Sequence, residues 1–109
     1  MMVVEPIPSK DWADLVNAAS HACRTLDIGR KLYGLMRLAQ FSDIDVQVVA
    51  RPDIDGRLLP MIRNMAAYAQ ASGKINRAVT ESILLVIEQA ISQGSYLAIV
   101  PTVCCAAIR

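Results

Sequence analysis

The sequence predicts an α/β fold with three strands and about four helices, in a single domain that spans residues 1–109. Several segments carry apolar side chains at steps of three and four, which is the period of a helix with one buried face. One segment alternates apolar and polar side chains, and two apolar runs adjoin prolines, which is typical of strands. A chain of this length has room for one hydrophobic core.

Composition excludes several classes of protein. Hydrophobic residues make up 54% of the chain and charged residues 19%, which is too apolar for a disordered chain and too interrupted for a membrane span. Eleven basic residues against ten acidic ones leave no dense basic stripe, so no nucleic-acid surface is expected. Three cysteines cannot all pair with one another, and residues 1–4 are too short an apolar run for a signal peptide. The sequence therefore predicts a cytoplasmic protein.

The first third of the chain predicts a strand followed by two helices. Residues 1–4 form an apolar run, and Pro6 and Pro8 prevent it from continuing. Ser9 is placed to cap the first helix. A break near residues 27–29 separates it from a second, shorter helix. The apolar stripe of the first helix comprises Trp12, Leu15, Val16, Ala19, Ala22, Cys23 and Leu26. The stripe of the second comprises Ile28, Leu32, Leu35, Met36 and Ala39.

Two further strands are predicted. Residues 44–50 alternate apolar and mostly polar side chains, which indicates an edge strand with one polar face, ended by residues 51–52. Residues 96–108 are rich in Val, Ile, Cys and Ala without a helical period. They form a strand region in which Pro101 marks a bulge or break.

Residues 58–93 predict a helical hairpin. Pro60 is tolerated because it lies in the first turn of the first helix, and Gly73 is well placed to end that helix. Asn76 caps the second helix, which stops at Gly94.

The usual catalytic motifs are missing from the sequence. It contains no GxGxxG, GxxxxGK[ST], HExxH or paired CxxC. The only histidine, His21, has no neighbouring nucleophile or orienting carboxylate, so we interpret it as a surface or helix-packing residue. Cys104 and Cys105 could be a redox pair or half a zinc site, but neighbours on a strand face opposite ways, so we interpret them as small buried apolar side chains. Residues 53–56 are interpreted as a turn, since a calcium loop needs more acidic ligands. No metal site is predicted.

The order of these segments resembles the C-terminal half of class I S-adenosylmethionine-dependent methyltransferases, in the small-molecule group related to quinone-biosynthesis enzymes. The resemblance covers nearly the whole chain. Its carriers are the VVEP stretch at residues 3–6, residues 28–39, the strand at 46–49, the segment at 94–99 that follows the hairpin, and the tail at 106–109. Gln40 stands where the family usually has a glycine that ends the helix.

The resemblance implies a partial Rossmann-like methyltransferase fold. Its sheet would be three-stranded and mixed, in the spatial order first, third, second strand, and the hairpin at residues 58–93 would be a lid over the acceptor site. Substrate-lining candidates are Tyr33, Met61, Met65 and Tyr68. The family's glycine-rich cofactor loop and acidic ribose ligand would lie upstream of Met1, so no residue is implied to bind S-adenosylmethionine or to be catalytic. The chain alone is expected to bind no cofactor and to be inactive.

Two functions from different classes follow. In the first, the chain is the substrate-side part of a small-molecule methyltransferase, partnered by a chain that carries the missing half. In the second, it is a non-catalytic, self-associating structural module. A complete enzyme covers the outer side of the first strand and the opposite face of the sheet. The sequence therefore predicts a homo-oligomer formed through the open sheet face, with pairing of the first strands across a two-fold axis as one geometry.

Overall fold

The computed structural model describes residues 2–23 and 28–108, and over these residues the chain is a mixed α/β protein with four α-helices and five strands. The helices are α1 (Ser9–Ala19), which continues into a 3₁₀ turn (Ser20–Ala22), α2 (Ile28–Leu38), α3 (Leu59–Ser72) and α4 (Arg77–Gln93). The strands are β1 (Val3–Glu5), β2 (Ser42–Val49), β3 (Pro52–Asp53), β4 (Leu97–Ile99) and β5 (Thr102–Ile108).

The strands form two sheets, so the predicted single three-stranded mixed sheet is wrong. One sheet has the order β1-β4-β3 and the other pairs β2 with β5, and every pair is antiparallel. The sheet divides where Pro101, which has no N–H to donate, separates β4 from β5. Of the two alternatives predicted for Pro101, a bulge or a break, the structure shows a break, and β2 is an edge strand as predicted. Strand β3 at Pro52 was not predicted.

The two sheets share one continuous register. Val49 pairs with Thr102, and three residues further along Pro52 pairs with Ile99. Residues 42–53 and 97–108 therefore run as one antiparallel ribbon with a gap at residues 50–51 and 100–101. Strand β1 pairs with this ribbon only along β4. The predicted third strand, at the C-terminal end, therefore lies between the predicted first and second strands, but the three do not form one sheet.

The core lies between α1, the α3–α4 hairpin and the β1-β4-β3 sheet. Trp12, Leu15 and Ala18 of α1 are buried, and so are Ile62 of α3 and Ile87 of α4. The predicted stripe of the first helix is only partly correct. The 3₁₀ turn replaces its last turn and leaves Ala22 and Cys23 exposed, while Leu26 lies outside the described residues. Helix α1 begins with Ser9 itself and has no side-chain cap, so the predicted Ser9 cap is wrong.

The helix ends of the hairpin are confirmed. Pro60 lies in the first turn of α3, and Gly73 ends that helix in the left-handed region at φ 71°. The Asn76 side chain accepts a hydrogen bond from the Ala78 N–H, and Gly94 ends α4 at φ 76°. These signals are local, which explains why the sequence alone located them.

Helix α2, β2 and β5 form a separate layer, called here the outer layer. Helix α2 packs on the β2–β5 ribbon, and a Cβ at Gly29 would lie 3.5 Å from Val103. None of the residues of the outer layer is fully buried. The radius of gyration is 16.3 Å, against about 13 Å for a compact chain of this length. The layer thus extends away from the core.

The two adjacent cysteines of β5 lie in this outer layer. Cys104 is exposed and Cys105 is half-buried, so the prediction that both are buried is wrong. The physical reason is that α2 covers only one face of a two-stranded ribbon. None of the helices in the described part of the chain combines the length and hydropathy needed to cross a bilayer.

Candidate functional site

A cleft of about 470 Å³ opens between the end of β1, α1 and α3. Its wall is mostly apolar and includes Val3, Ile7, Trp12, Val16 and Met65. Volumes of this size, lined by apolar and aromatic side chains, are typical of sites for small molecules.

The local sequence places the cleft at the junction of β1 and α1. The Ile7 N–H donates to the Val4 carbonyl at 3.1 Å, which turns the chain out of the strand. The Trp12 N–H donates to the Pro8 carbonyl at 3.1 Å, so the helix begins at once. Ser9 is the first helical residue, and the next turns bring Trp12 and Val16 to the cleft wall.

A few polar groups accompany the apolar wall. Glu5, Ser9 and Asn17 line the same cleft, and the carboxylate, hydroxyl and amide are the kinds of group that orient a ligand. No nucleophile with an adjacent base lines the cleft among the described residues. The arrangement can bind and orient an apolar ligand and exclude water from it.

The four predicted lining residues are not brought together. Met61, Met65 and Tyr68 follow one another at steps of four and three on α3, and Met65 lines the cleft. Met61 lines a second, more polar cleft of about 510 Å³ beside β3. Tyr68 packs edge-on against His21, with ring centroids 6.3 Å apart, and Tyr33 lies on α2 in the outer layer. Of the four, the structure combines only Met65 with Trp12.

His21 lies on the exposed side of the 3₁₀ turn. Its Nδ1 is 3.1 Å from the Ala18 carbonyl oxygen, and its ring packs against Tyr68 of α3. These contacts confirm the interpretation of His21 as a surface and helix-packing residue.

Sequence reasoning missed a buried carboxylate in the second cleft. Asp53 accepts hydrogen bonds from the backbone N–H groups of Asp55 (3.2 Å), Arg57 (3.1 Å) and Leu58 (2.8 Å). The Tyr96 hydroxyl also donates to it at 2.8 Å. Asp53 therefore closes the predicted turn and ties the start of α3 to the segment before β4. The turn composition was visible in the sequence, but the tyrosine partner was not.

Burial and hydrogen bonding have opposite effects on the pKa of this carboxylate. Desolvation tends to raise the pKa of Asp53, but the hydrogen bonds from Leu58, Tyr96, Arg57 and Asp55 outweigh it and hold the pKa below its usual value. Desolvation raises the pKa of Tyr96, and the hydrogen bond to the Asp53 carboxylate and its negative charge raise it further. Asp53 is thus a charged acceptor and Tyr96 a neutral donor.

Trp12 carries a donor that the fold leaves unpaired. Its ring is buried, and the indole Nε1 has no hydrogen-bond partner among the described residues. An unpaired buried N–H costs about 1–3 kcal/mol.

Replacing Trp12 by phenylalanine should therefore cost less than about 1 kcal/mol, because loss of the unpaired N–H offsets the smaller ring. Tyr96→Phe removes only one oxygen, but it should cost more because that hydroxyl is bonded to Asp53. Urea unfolding followed by circular dichroism compares the two. A Trp12→Phe variant that is less stable than Tyr96→Phe would contradict the explanation.

Within the described residues, no three His, Cys, Asp or Glu side chains are grouped so that they could hold a metal ion. Comparison with models of protein families, with curated proteins and with solved structures finds no match to this chain.

Proposed function

We propose that the chain forms the acceptor-binding side of an S-adenosylmethionine-dependent small-molecule methyltransferase. The observation that carries the proposal is the cleft at the end of β1, whose wall combines Trp12 and Met65 with a few orienting polar groups. Such a surface suits an uncharged aromatic or aliphatic acceptor. The chain's own contribution is to hold the acceptor in one orientation and to exclude water from it.

The end of α2 supports the resemblance on which the proposal rests. The Gln40 N–H donates to the Arg37 carbonyl and the Phe41 N–H to the Met36 carbonyl, which together form a Schellman motif. Gln40 has φ 67°, in the left-handed region that favours glycine. The backbone at this position therefore keeps the conformation that the family's usual glycine provides.

The turn that follows β1 does not fit the cofactor itself. A cofactor cradle of this class needs backbone N–H groups in a glycine-rich turn after a strand. Strand β1 is followed instead by Pro6 and Pro8, neither of which has an N–H to offer. The proposal accordingly assigns the cofactor to residues outside this chain and limits the cleft to the acceptor.

The acceptor site can be tested through the single tryptophan. In a ¹⁵N-labelled chain, the one indole cross-peak should shift saturably when 1-naphthol, an uncharged aromatic probe, is added. Val16→Lys places a charged chain in the apolar cleft and should weaken binding tenfold or more. Val86→Lys is the matched control, since Val16 and Val86 are each 37% exposed and Val86 does not line the cleft.

A cross-peak that does not move at millimolar naphthol, or equal binding by the two lysine variants, would contradict the acceptor site. The assignment of the cofactor to residues outside this chain has its own test. Calorimetric titration of the chain with S-adenosylmethionine should give no saturable heat, and micromolar binding would contradict it.

A second candidate function, self-association, is favoured by one separate observation. The outer layer contains no fully buried side chain, although its helix and strands carry large apolar residues such as Leu38, which is 83% exposed. A layer of this kind gains stability when a further surface covers it.

A further inference from the structure

Strand β5 has an unpaired edge. One of its edges pairs with β2 over the whole strand, and no strand in the described part of the chain pairs with the other. Strand β1 runs along the same side of the ribbon but reaches only to Ile99, which it meets through Val3. The N–H and C=O groups that point outward from residues 102–108 are therefore without strand partners in the described residues.

The chemistry of β5 makes this edge suitable for pairing. Its sequence, TVCCAAI, contains no charge, no glycine and no proline. Exposed edge strands normally carry a lysine, a proline or a bulge that prevents pairing with another chain. The bulge of this ribbon lies on β2, between Ser42 and Asp45, and leaves β5 regular.

We infer that β5 pairs antiparallel with β5 of a second copy, around a two-fold axis at Cys105. This register gives the longest ladder, because Cys105 is the middle residue of the seven-residue strand. It places Cys105 opposite its own equivalent, Cys104 opposite Ala106, and Val103 opposite Ala107 of the partner subunit. In the two inner pairs a larger side chain thus faces an alanine, and at the ends of the ladder Thr102 lies opposite Ile108.

The register also agrees with the two faces of the ribbon. Val103, Cys105 and Ala107 are half-buried, and the residues between them are exposed. Because α2 approaches Val103, these three residues lie on the side that α2 covers. An axis at Cys105 sets odd-numbered residues opposite odd-numbered ones, so both α2 helices lie on the same face of a four-stranded sheet, β2-β5-β5-β2.

The outer layer also exposes apolar area beside this edge, although less than a standard interface takes. Large apolar side chains of the outer layer, 42% to 83% exposed, present on the order of 500 Å² between them at about 30 Å² per methylene. A standard interface takes about 800 Å² from each partner, and the ladder itself adds the backbone. A second copy supplies an edge of the same length and sequence, and its own α2 lies on the same face of the sheet. The inference deepens the second candidate function and is independent of the acceptor cleft.

Thiol cross-linking tests the register. Facing Cα atoms of antiparallel strands are about 4.5–5.5 Å apart, which is within the span of a disulfide. Light scattering of the full chain at micromolar concentration should give a dimer. Diamide, which takes two electrons and two protons from a pair of thiols, should then link the two Cys105 residues. Cys104→Ser should leave this link intact, and Cys105→Ser should abolish it.

A charge pair tests the same register without oxidation. Cys104→Lys with Ala106→Lys sets lysine opposite lysine across the axis and should weaken the dimer tenfold or more. Cys104→Glu with Ala106→Lys sets glutamate opposite lysine and should keep it dimeric. Within one copy, Asp45 lies opposite residue 106 in both variants, so the new lysine has a favourable neighbour in each.

The outcomes are distinct. A monomeric wild-type chain overturns the inference, and so does a dimer in which both charge variants associate equally. A link through Cys104 alone overturns the register. Circular dichroism of both double variants checks that they are folded. The loss of the diamide link in Cys105→Ser tests the same register without any added charge. Naphthol binding by a monomeric chain would leave the acceptor site standing while this inference fails.

Discussion

Replacing Asp53 by alanine should lower the free energy of unfolding by about 3 kcal/mol, because three backbone N–H groups and one hydroxyl lose a charged acceptor. Asp53 is buried, so water replaces the lost acceptor poorly. Asp55→Ala is the matched control. Its side chain is 64% exposed and forms a 3.4 Å surface ion pair with Arg57, which is worth well under 1 kcal/mol. Urea unfolding of both variants at equal protein concentration measures the difference.

The same carboxylate should make the free energy of unfolding depend on pH in the acid range. The pKa of Asp53 is lower in the folded chain than the value of about 3.9 expected when unfolded. Its stabilisation is therefore complete only well above pH 4 and is lost as the pH falls through 4 toward the folded pKa. The stability difference between wild type and Asp53→Asn should shrink over this window. A difference that stays constant from pH 6 to pH 3 would show that the charge of Asp53 contributes nothing.

Ile87→Ala should lower the free energy of unfolding by about 3 kcal/mol and the melting temperature by roughly 10–20 °C. Ile87 lies on α4 with none of its surface exposed, so the deletion leaves a cavity in the core.

Leu85→Ala, on the same helix, is the control for this deletion, since Leu85 is 56% exposed. It should cost less than about 1 kcal/mol. Equal costs for the two variants would mean that the buried face of α4 is assigned wrongly.

Local signals in the sequence predicted the helices of the hairpin well. Gly73, Asn76 and Gly94 act within one turn of their own positions, so no other part of the chain is needed to interpret them. Strand pairing was predicted less well, because it depends on distant partners. Pro101 was identified as a break, but the sequence did not show that the segments on either side of it belong to different sheets.

The candidate site shows the same difference between local signals, which the sequence reveals, and distant contacts, which it does not. Met65 was identified as a lining residue, while Trp12 was assigned only to the core, because its position at a cleft depends on how β1 turns into α1. The partner of Asp53 is Tyr96, which lies 43 residues away. No pattern within the turn indicates such a contact. The stripe of α2 correctly predicted a helix, but the period of a stripe does not tell which surface covers it.

The gap in the ribbon at residues 50–51 and 100–101 also determines which parts of the chain unfold together. On one side of the gap lies the packed core, and on the other lies a layer without a buried side chain. Segments with few buried contacts open at a lower free energy than the whole molecule. The outer layer can therefore unfold locally. Its strands separate from the end at residues 42 and 108 as far as the gap, while β1, β4 and β3 stay paired. In an isolated copy, the gap is then the boundary between two cooperative units of unfolding.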